Sequence, residues 1–198
     1  MKPTIGFRRN VYLVWLEYAA HLVAQGEAPA RIRTRLDAMV SDTVASGVNR
    51  RQTVDSLMNI WVHTARQEAN LHARAVELYS SLPAQVDRVV LHYGLALMAY
   101  PFFRQACALM GETLRFGAPV STATLQQRLP ASLGNLGALH DACKRVTFSL
   151  RDWGLLVDAD RRYTYTVATP RPTPSTPELT AWLLAAALHA HPSQSLAF

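Results

Sequence analysis

Apolar side chains recur every three to four residues along the first 116 positions, and the spacing predicts six helices joined by short links. Val11, Trp15, Tyr18 or Ala19, and Leu22 place the first over residues 8–25, with Gly26 as its stop. Pro29 opens a second, reaching residue 46, that buries Ile32, Leu36, Met39, Val40 and Val44 and closes at Gly47. On it Arg31 and Arg35 share a face, with Arg33 lying away from them. A third helix over residues 49–66 turns Val54, Leu57, Met58, Trp61 and Val62 inward, and a fourth over 68–80 buries Leu71, Ala75 and Leu78. The fifth, from Pro83 to about residue 100, is apolar almost all round, the mark of an enclosed central helix. Pro101 breaks the chain there and begins the sixth, over residues 102–116.

From Pro119 to Pro170 the pattern changes. Ser121 is placed to cap a short helix over residues 122–129, with Leu125 and Leu129 on its buried edge. Pro130 stops it, and Leu133, Gly134 and Asn135 make a turn. Leu136, Leu139, Cys143, Val146, Leu150 and Trp153 then form a continuous apolar stripe on a longer helix that ends at Gly154. Its opposite face holds Asp141, Lys144, Arg145, Phe148 and Asp152, and an exposed Phe148 beside two cations points to contact with a partner. Residues 155–157 and 162–167 read as a β-hairpin with residues 158–161 at its bend. On the return strand Tyr163, Tyr165 and Val167 share one face, and Arg162, Thr164 and Thr166 the other. Helix, turn, helix and hairpin in that order is the winged helix-turn-helix pattern.

A Pro-rich tether over residues 170–177 leads to a last helix over 176–190. Its Leu179, Trp182, Leu183, Ala186 and Leu188 pack on the N-terminal helices or on a partner chain, and the former is the expectation. The predicted fold is mainly α. A multi-helix bundle over residues 1–117 precedes a winged helix-turn-helix with a small β-hairpin over 118–169. The tether and a C-terminal helix packing back on the body occupy 170–198.

Composition adds little to this picture. Hydrophobic residues make up 49% of the 198 and charged residues 17%, which excludes a disordered chain. The net charge of +6 permits an acidic partner such as nucleic acid. All but Lys2 and Lys144 of the 20 basic residues are arginine, a skew that a G+C-rich genome explains as well as phosphate recognition does. Arg50 and Arg51 open the third helix, where positive charge opposes the helix dipole; a docked phosphate or Asp55 one turn later would offset it. Cys107 and Cys143 lie in apolar helical patterns, which fits core packing in a reducing compartment. The longest apolar stretch, residues 89–103, is shorter than the ~20 residues of a membrane helix. A cytoplasmic, soluble protein with no membrane partner is the expectation.

Chemistry is harder to find. None of His21, His63, His72, His92, His140, His189 and His191 belongs to a metalloprotease or zinc-finger spacing, although His189 and His191 form one pair near the end. The glycines form no phosphate loop and no carboxylates pair for acid–base work. The expectation is a protein without enzymatic activity, metal or cofactor.

Four segments carry a resemblance. They are V-W-L-E-Y-A-A-H-L-V-A-Q-G after the early Gly6, N-R-R-Q-T-V-D-S-L-M-N-I-W-V, L-H-Y-G-L-A-L-M-A-Y-P-F-F-R, and T-F-S-L-R-D-W-G-L-L before the hairpin. In helix order and apolar spacing the chain resembles the BrxA family of bacterial BREX phage-defence systems. That resemblance implies a small, helical, non-enzymatic DNA-binding component and makes Arg50 and Arg51 better candidates for backbone contact. The tether and last helix match the pattern less clearly. The expected function is therefore an accessory DNA-binding protein of a defence system, using Lys144, Arg145, Arg161 and Arg162, with Arg50 and Arg51. Two alternatives stand beside it: an adaptor docking a larger defence protein through Phe148, Tyr163 and Tyr165, and a transcriptional regulator with an apolar ligand pocket.

Overall fold

The computed structural model of the chain describes residues 6–82, 85–129, 136–171 and 173–191. Residues 6–12 run outside any helix, which corrects the predicted start at residue 8. The reason lies at the other end of the chain. The Val11 N–H donates to Ser149 Oγ (3.0 Å), and the Val11 carbonyl accepts from Trp153 Nε1 (2.8 Å). In a helix begun at Arg8 that carbonyl would instead be committed to the N–H of Trp15. Phe7 and Val11 are fully buried in this strap, and Phe7 stacks between Tyr100 (5.4 Å) and Phe103 (5.1 Å).

Helix α1 (Leu13–Ala24) follows, with no cap from its own sequence. Asp152 supplies one: its Oδ2 accepts from the Leu13 N–H at 2.6 Å, placing negative charge at the helix N-terminus. Helix α2 (Pro29–Ser41) stops five residues before the predicted end. Gly47 does not close it but opens α3 (Gly47–Trp61), because Ser46 caps that helix by accepting from the Asn49 N–H. A 3-10 turn (His63–Arg66), α4 (Ala69–Ser81), α5 (Gln85–Ala99) and α6 (Pro101–Leu114) complete the body. Tyr100 is extended between α5 and α6, as Pro101 requires.

Helix α5 is central, with Val89, Val90, Leu91, His92, Leu95, Ala96, Leu97 and Met98 all buried. His92 is satisfied on both ring nitrogens. Nδ1 accepts from Trp61 Nε1 (2.9 Å) and Nε2 faces Glu17 Oε1 (2.9 Å), which sets the neutral Nε2–H tautomer. Glu17 Oε2 also accepts from Tyr79 Oη at 3.1 Å, and Arg88 lies 3.5 Å away. Burial works to raise the Glu17 carboxyl, but the His92 and Tyr79 bonds and the Arg88 charge outweigh it, so its pKa is lowered. Burial pushes His92 down despite Glu17, and pushes Tyr79 up to about 12.

After the body come β1 (Val120–Ser121), α7 (Thr122–Arg128), α8 (Leu136–Asp152), β2 (Leu156–Asp158), β3 (Thr164–Val167) and α9 (Pro177–Ala190). The described residues are mainly helical, with a three-stranded antiparallel sheet in the order β1-β3-β2. Leu156 pairs with Val167 and Asp158 with Tyr165, while Val120 sits opposite Tyr165 on the other edge. The hairpin was legible; β1 was not, since two residues carry no periodicity. Ser121 closes β1 and also caps α7 by accepting from the Thr124 N–H. The stop and turn expected at Pro130 and residues 133–135 lie outside the described residues, as do Pro83 and the side chain of Leu136. Leu139, Cys143, Val146, Leu150 and Trp153 are buried in a core continuous with that of the body.

The last helix packs on α4 and α5. Trp182 bonds the Leu71 carbonyl through Nε1 (2.9 Å), and its ring lies where a side chain on Gly94 would stand, 2.6 Å from the ideal Cβ position. Leu188, assigned to the buried side, is instead 43% exposed. The tether is anchored by Asp87 in the first turn of α5, which accepts from the Ser175 N–H (3.1 Å) and Oγ (2.7 Å). No helix among the described residues is long and apolar enough to cross a membrane.

Gly94→Ala would improve helix propensity by about 1 kcal/mol in isolation. Here it is expected to destabilise the protein by about 1–3 kcal/mol in urea denaturation, because the indole must move. Acid should also weaken the fold. His92 and His63 both lie below their ordinary 6.5, so the unfolded chain binds more protons as pH falls through 6.5 and stability declines. Glu17, held below its ordinary 4.5, contributes stability that is present above 4.5 and lost as pH falls through its lower folded value. The urea midpoint is therefore expected to be lower at about pH 5 than at about pH 7.5, and to drop further below about pH 4.5.

Candidate nucleic-acid interface

Between α8 and the β2–β3 hairpin lies a groove of about 430 Å³. Lys144, Arg145, Phe148 and Arg151 line one wall, and Asp158, Arg161, Arg162, Tyr163 and Tyr165 the other. Residues predicted from two separate stretches, the helix face and the hairpin bend, are thus brought together. Asn10 of the N-terminal strap adds to the lining.

Helical spacing explains the first wall. Lys144, Phe148 and Arg151 recur at steps of four and three, so they project from one side of α8 while the Leu139–Leu150 stripe faces the core. Gly154 ends the helix in a left-handed conformation (φ 72°) and turns the chain into β2. The second wall follows from the hairpin. The Ala159 N–H donates to the Thr164 carbonyl (3.0 Å), and the Thr164 N–H and Oγ1 both donate to the Arg161 carbonyl. These bonds close the bend and leave the Arg161 and Arg162 side chains in solvent.

The groove is cationic. Five basic side chains face a single lining carboxylate, Asp158, which pairs with Arg151 through both oxygens at 3.1 Å. Arg145 is tied by its Nη1 to Asn10 Oδ1 (3.1 Å). Lys144 and Arg161 have no ion-pair partner among the described residues and face solvent. Clustered like charge beside low-dielectric walls concentrates field toward an anion.

Three expectations about this surface need correction. Phe148 is not exposed: it is half-buried, with the Tyr12 ring packed edge-on at 5.1 Å. Tyr163 does not share a strand face with Tyr165, because it lies in the bend with φ 61° and precedes β3. Tyr165 is buried at 8% exposure, whereas Tyr163 is 53% exposed with the Arg162 guanidinium 4.7 Å above its ring. A left-handed backbone at a bulky residue stores about 1–3 kcal/mol.

Arg50 and Arg51 stand apart from the groove lining. Asp55 pairs with Arg33 of α2 at 2.7 Å. Asp37 of α2 lies 3.0 Å from Arg50 Nε, while Arg51 is exposed. Arg31 and Arg35 converge on Glu27 as their shared face implies.

Arg151 and Asn10 were missed. Arg151 was findable from its spacing of seven from Lys144; Asn10 was not, because its placement depends on the strap.

The thiols of Cys107 and Cys143 are free, and burial pushes them up to about 12 and about 11, so both are protonated core groups at neutral pH. Among the described residues no three His, Cys, Asp or Glu side chains cluster to hold a metal. His189 lies 3.9 Å from Glu68.

Comparison of the chain with protein-family models, with curated proteins and with solved structures yields no match.

The two hairpin tyrosines should separate on mutation. Tyr165→Ala is expected to cost about 3–5 kcal/mol in urea denaturation as a buried aromatic lost. Tyr163→Gly, which relieves the left-handed backbone, should keep stability within about 1 kcal/mol or raise it.

Proposed function

We infer that this chain is a non-enzymatic nucleic-acid-binding protein that grips a phosphate backbone in the groove between α8 and the hairpin. The observation that carries the reading is the collection of Lys144, Arg145, Arg151, Arg161 and Arg162 around one groove with Tyr163 exposed at its rim. In this reading residues 118–169 are a winged helix-turn-helix. The packing of α7 on α8 and the β1-β3-β2 order support that assignment. Helix α8 then takes the recognition position and the hairpin is the wing.

The binding is mainly to backbone rather than bases. Asn10, Tyr12 and Leu13 engage α8 at Arg145, Phe148 and Asp152, so the strap covers the half of the helix face nearest its C-terminus. Asp141, Lys144 and Arg151 remain exposed on α8. The exposed arginines at the hairpin bend suit phosphate positioning.

The adaptor reading loses ground by the same geometry. Of its three aromatics, Phe148 faces Tyr12 and Tyr165 is buried, which leaves Tyr163. Membership of a phage-defence system rests on the resemblance in helix order. Genes for a large ATPase and a DNA methyltransferase beside this one would support it, and their absence would count against it.

Fluorescence anisotropy with a labelled DNA duplex tests the groove. Lys144→Ala combined with Arg161→Ala and Arg162→Ala should weaken binding at least about tenfold. It should also flatten the salt dependence by ~0.9 for each phosphate that is no longer neutralised. Arg74→Ala, which removes a cation paired with Glu77 away from the groove, should change little. Equal affinity in the triple variant, or no binding at low salt, would overturn the assignment.

A further inference from the structure

A second cavity, of about 230 Å³, lies where the body meets the sheet. Val90 and Tyr93 of α5, Met110 of α6, Leu150 of α8, Val167 of β3 and Leu183 of α9 contribute to its walls. Nucleic-acid binding in the groove makes no use of it. The space exceeds the ~150 Å³ that accommodates benzene in a dry engineered cavity. Walls of this kind favour an apolar molecule, because water inside would find few polar partners.

Besides the Tyr93 hydroxyl and the Cys107 thiol, which bond to each other, the lining has one charged group. Arg171, in the tether, is the single charged residue among those lining the cavity. Its side chain is exposed and has no ion-pair or hydrogen-bond partner among the described residues. Four residues on, Ser175 is held by its two bonds to Asp87. An open apolar pocket with one unpaired arginine among its lining residues matches a molecule with an apolar body and one carboxylate, which arginine takes through two parallel hydrogen bonds.

We propose that this pocket is a binding site for a small amphiphilic carboxylate, its hydrocarbon body seated against α5, α6, α8, β3 and α9 and its carboxylate on Arg171. The volume limits the body to about the size of a medium-chain acyl group or one substituted ring. This site is separate from the cationic groove, although α8 and the hairpin strands border both.

Isothermal titration of the full chain with octanoate, and in parallel with octanol, tests the site. One octanoate is expected per chain, bound at least about tenfold more tightly than octanol because of the charge-assisted bonds. Arg171→Ala should reduce octanoate to the level of octanol. Gly111→Leu provides the second variant: Gly111 lines the cavity, and nothing lies within 4 Å of where its Cβ would stand, so the helix tolerates the change. It should weaken both ligands by obstructing the space. Absence of binding up to millimolar octanoate, octanol binding as tightly as octanoate, or full affinity in both variants would overturn the proposal.

Discussion

The seam between residues 7–13 and the C-terminal half of α8 is the constraint on which the remaining architecture depends. Three bonds define it: Val11 N–H to Ser149, Trp153 Nε1 to the Val11 carbonyl, and Leu13 N–H to Asp152. They join residues 138 to 142 positions apart in sequence. Val11 and Trp153 are buried, so their polar groups have no solvent to turn to and breaking either bond leaves an unsatisfied donor or acceptor. Phe7, Phe103 and Trp153 stack in succession beneath the seam, with 5.1 Å and 5.7 Å between ring centres. Orientation comes from the hydrogen bonds, and most of the stabilising free energy comes from this aromatic burial.

The seam also shapes the groove. Asn10 holds Arg145 and Tyr12 covers one side of Phe148, so a cation and an aromatic that would otherwise move freely are fixed at the wall. The cations at the hairpin bend have the opposite character, being exposed on a turn whose backbone carries the strain at Tyr163. One wall is tied to the N-terminal strap and the other stands in solvent.

Much of this organisation was legible in the sequence because helices announce themselves through short-range periodicity. The apolar stripe of α8, the Ser121 cap, the Pro101 break and the enclosed character of α5 all depend on residues within a few turns of one another. What escaped depends on distant partners. Val11 continues the helical spacing of Trp15 and Leu22, yet its carbonyl is claimed by Trp153. Phe148 looked stranded on a polar face because its neighbour, Tyr12, belongs to the start of the chain. Gly47 resembled a stop because glycine so often ends helices, while the preceding Ser46 was the stronger signal for a start. Asp55 was visible as a charge one turn from Arg50, but the ion pairs that form, Arg50 with Asp37 and Asp55 with Arg33, both reach across to α2. The site was legible to a similar degree: its residue types were visible, their convergence was not.

The sheet and α8 border two separate spaces, and this follows from how small the sheet is. On β3, Tyr165 lines the cationic groove and Val167, two residues on, lines the apolar cavity; on β2, Asp158 and Leu156 divide in the same way. Residues two apart on a flat strand share a face. Here the two members of each pair reach different spaces because the strands are only three and four residues long, so the groove takes one end of the hairpin and the cavity takes the other. On α8 the division is angular instead, with Leu150 toward the cavity and the adjacent Arg151 toward the groove. A change in packing against Leu156, Val167 or Leu150 is therefore at most two residues from a group lining the groove. The same short elements that build the cationic surface also close the apolar space, and neither can be repacked without reference to the other.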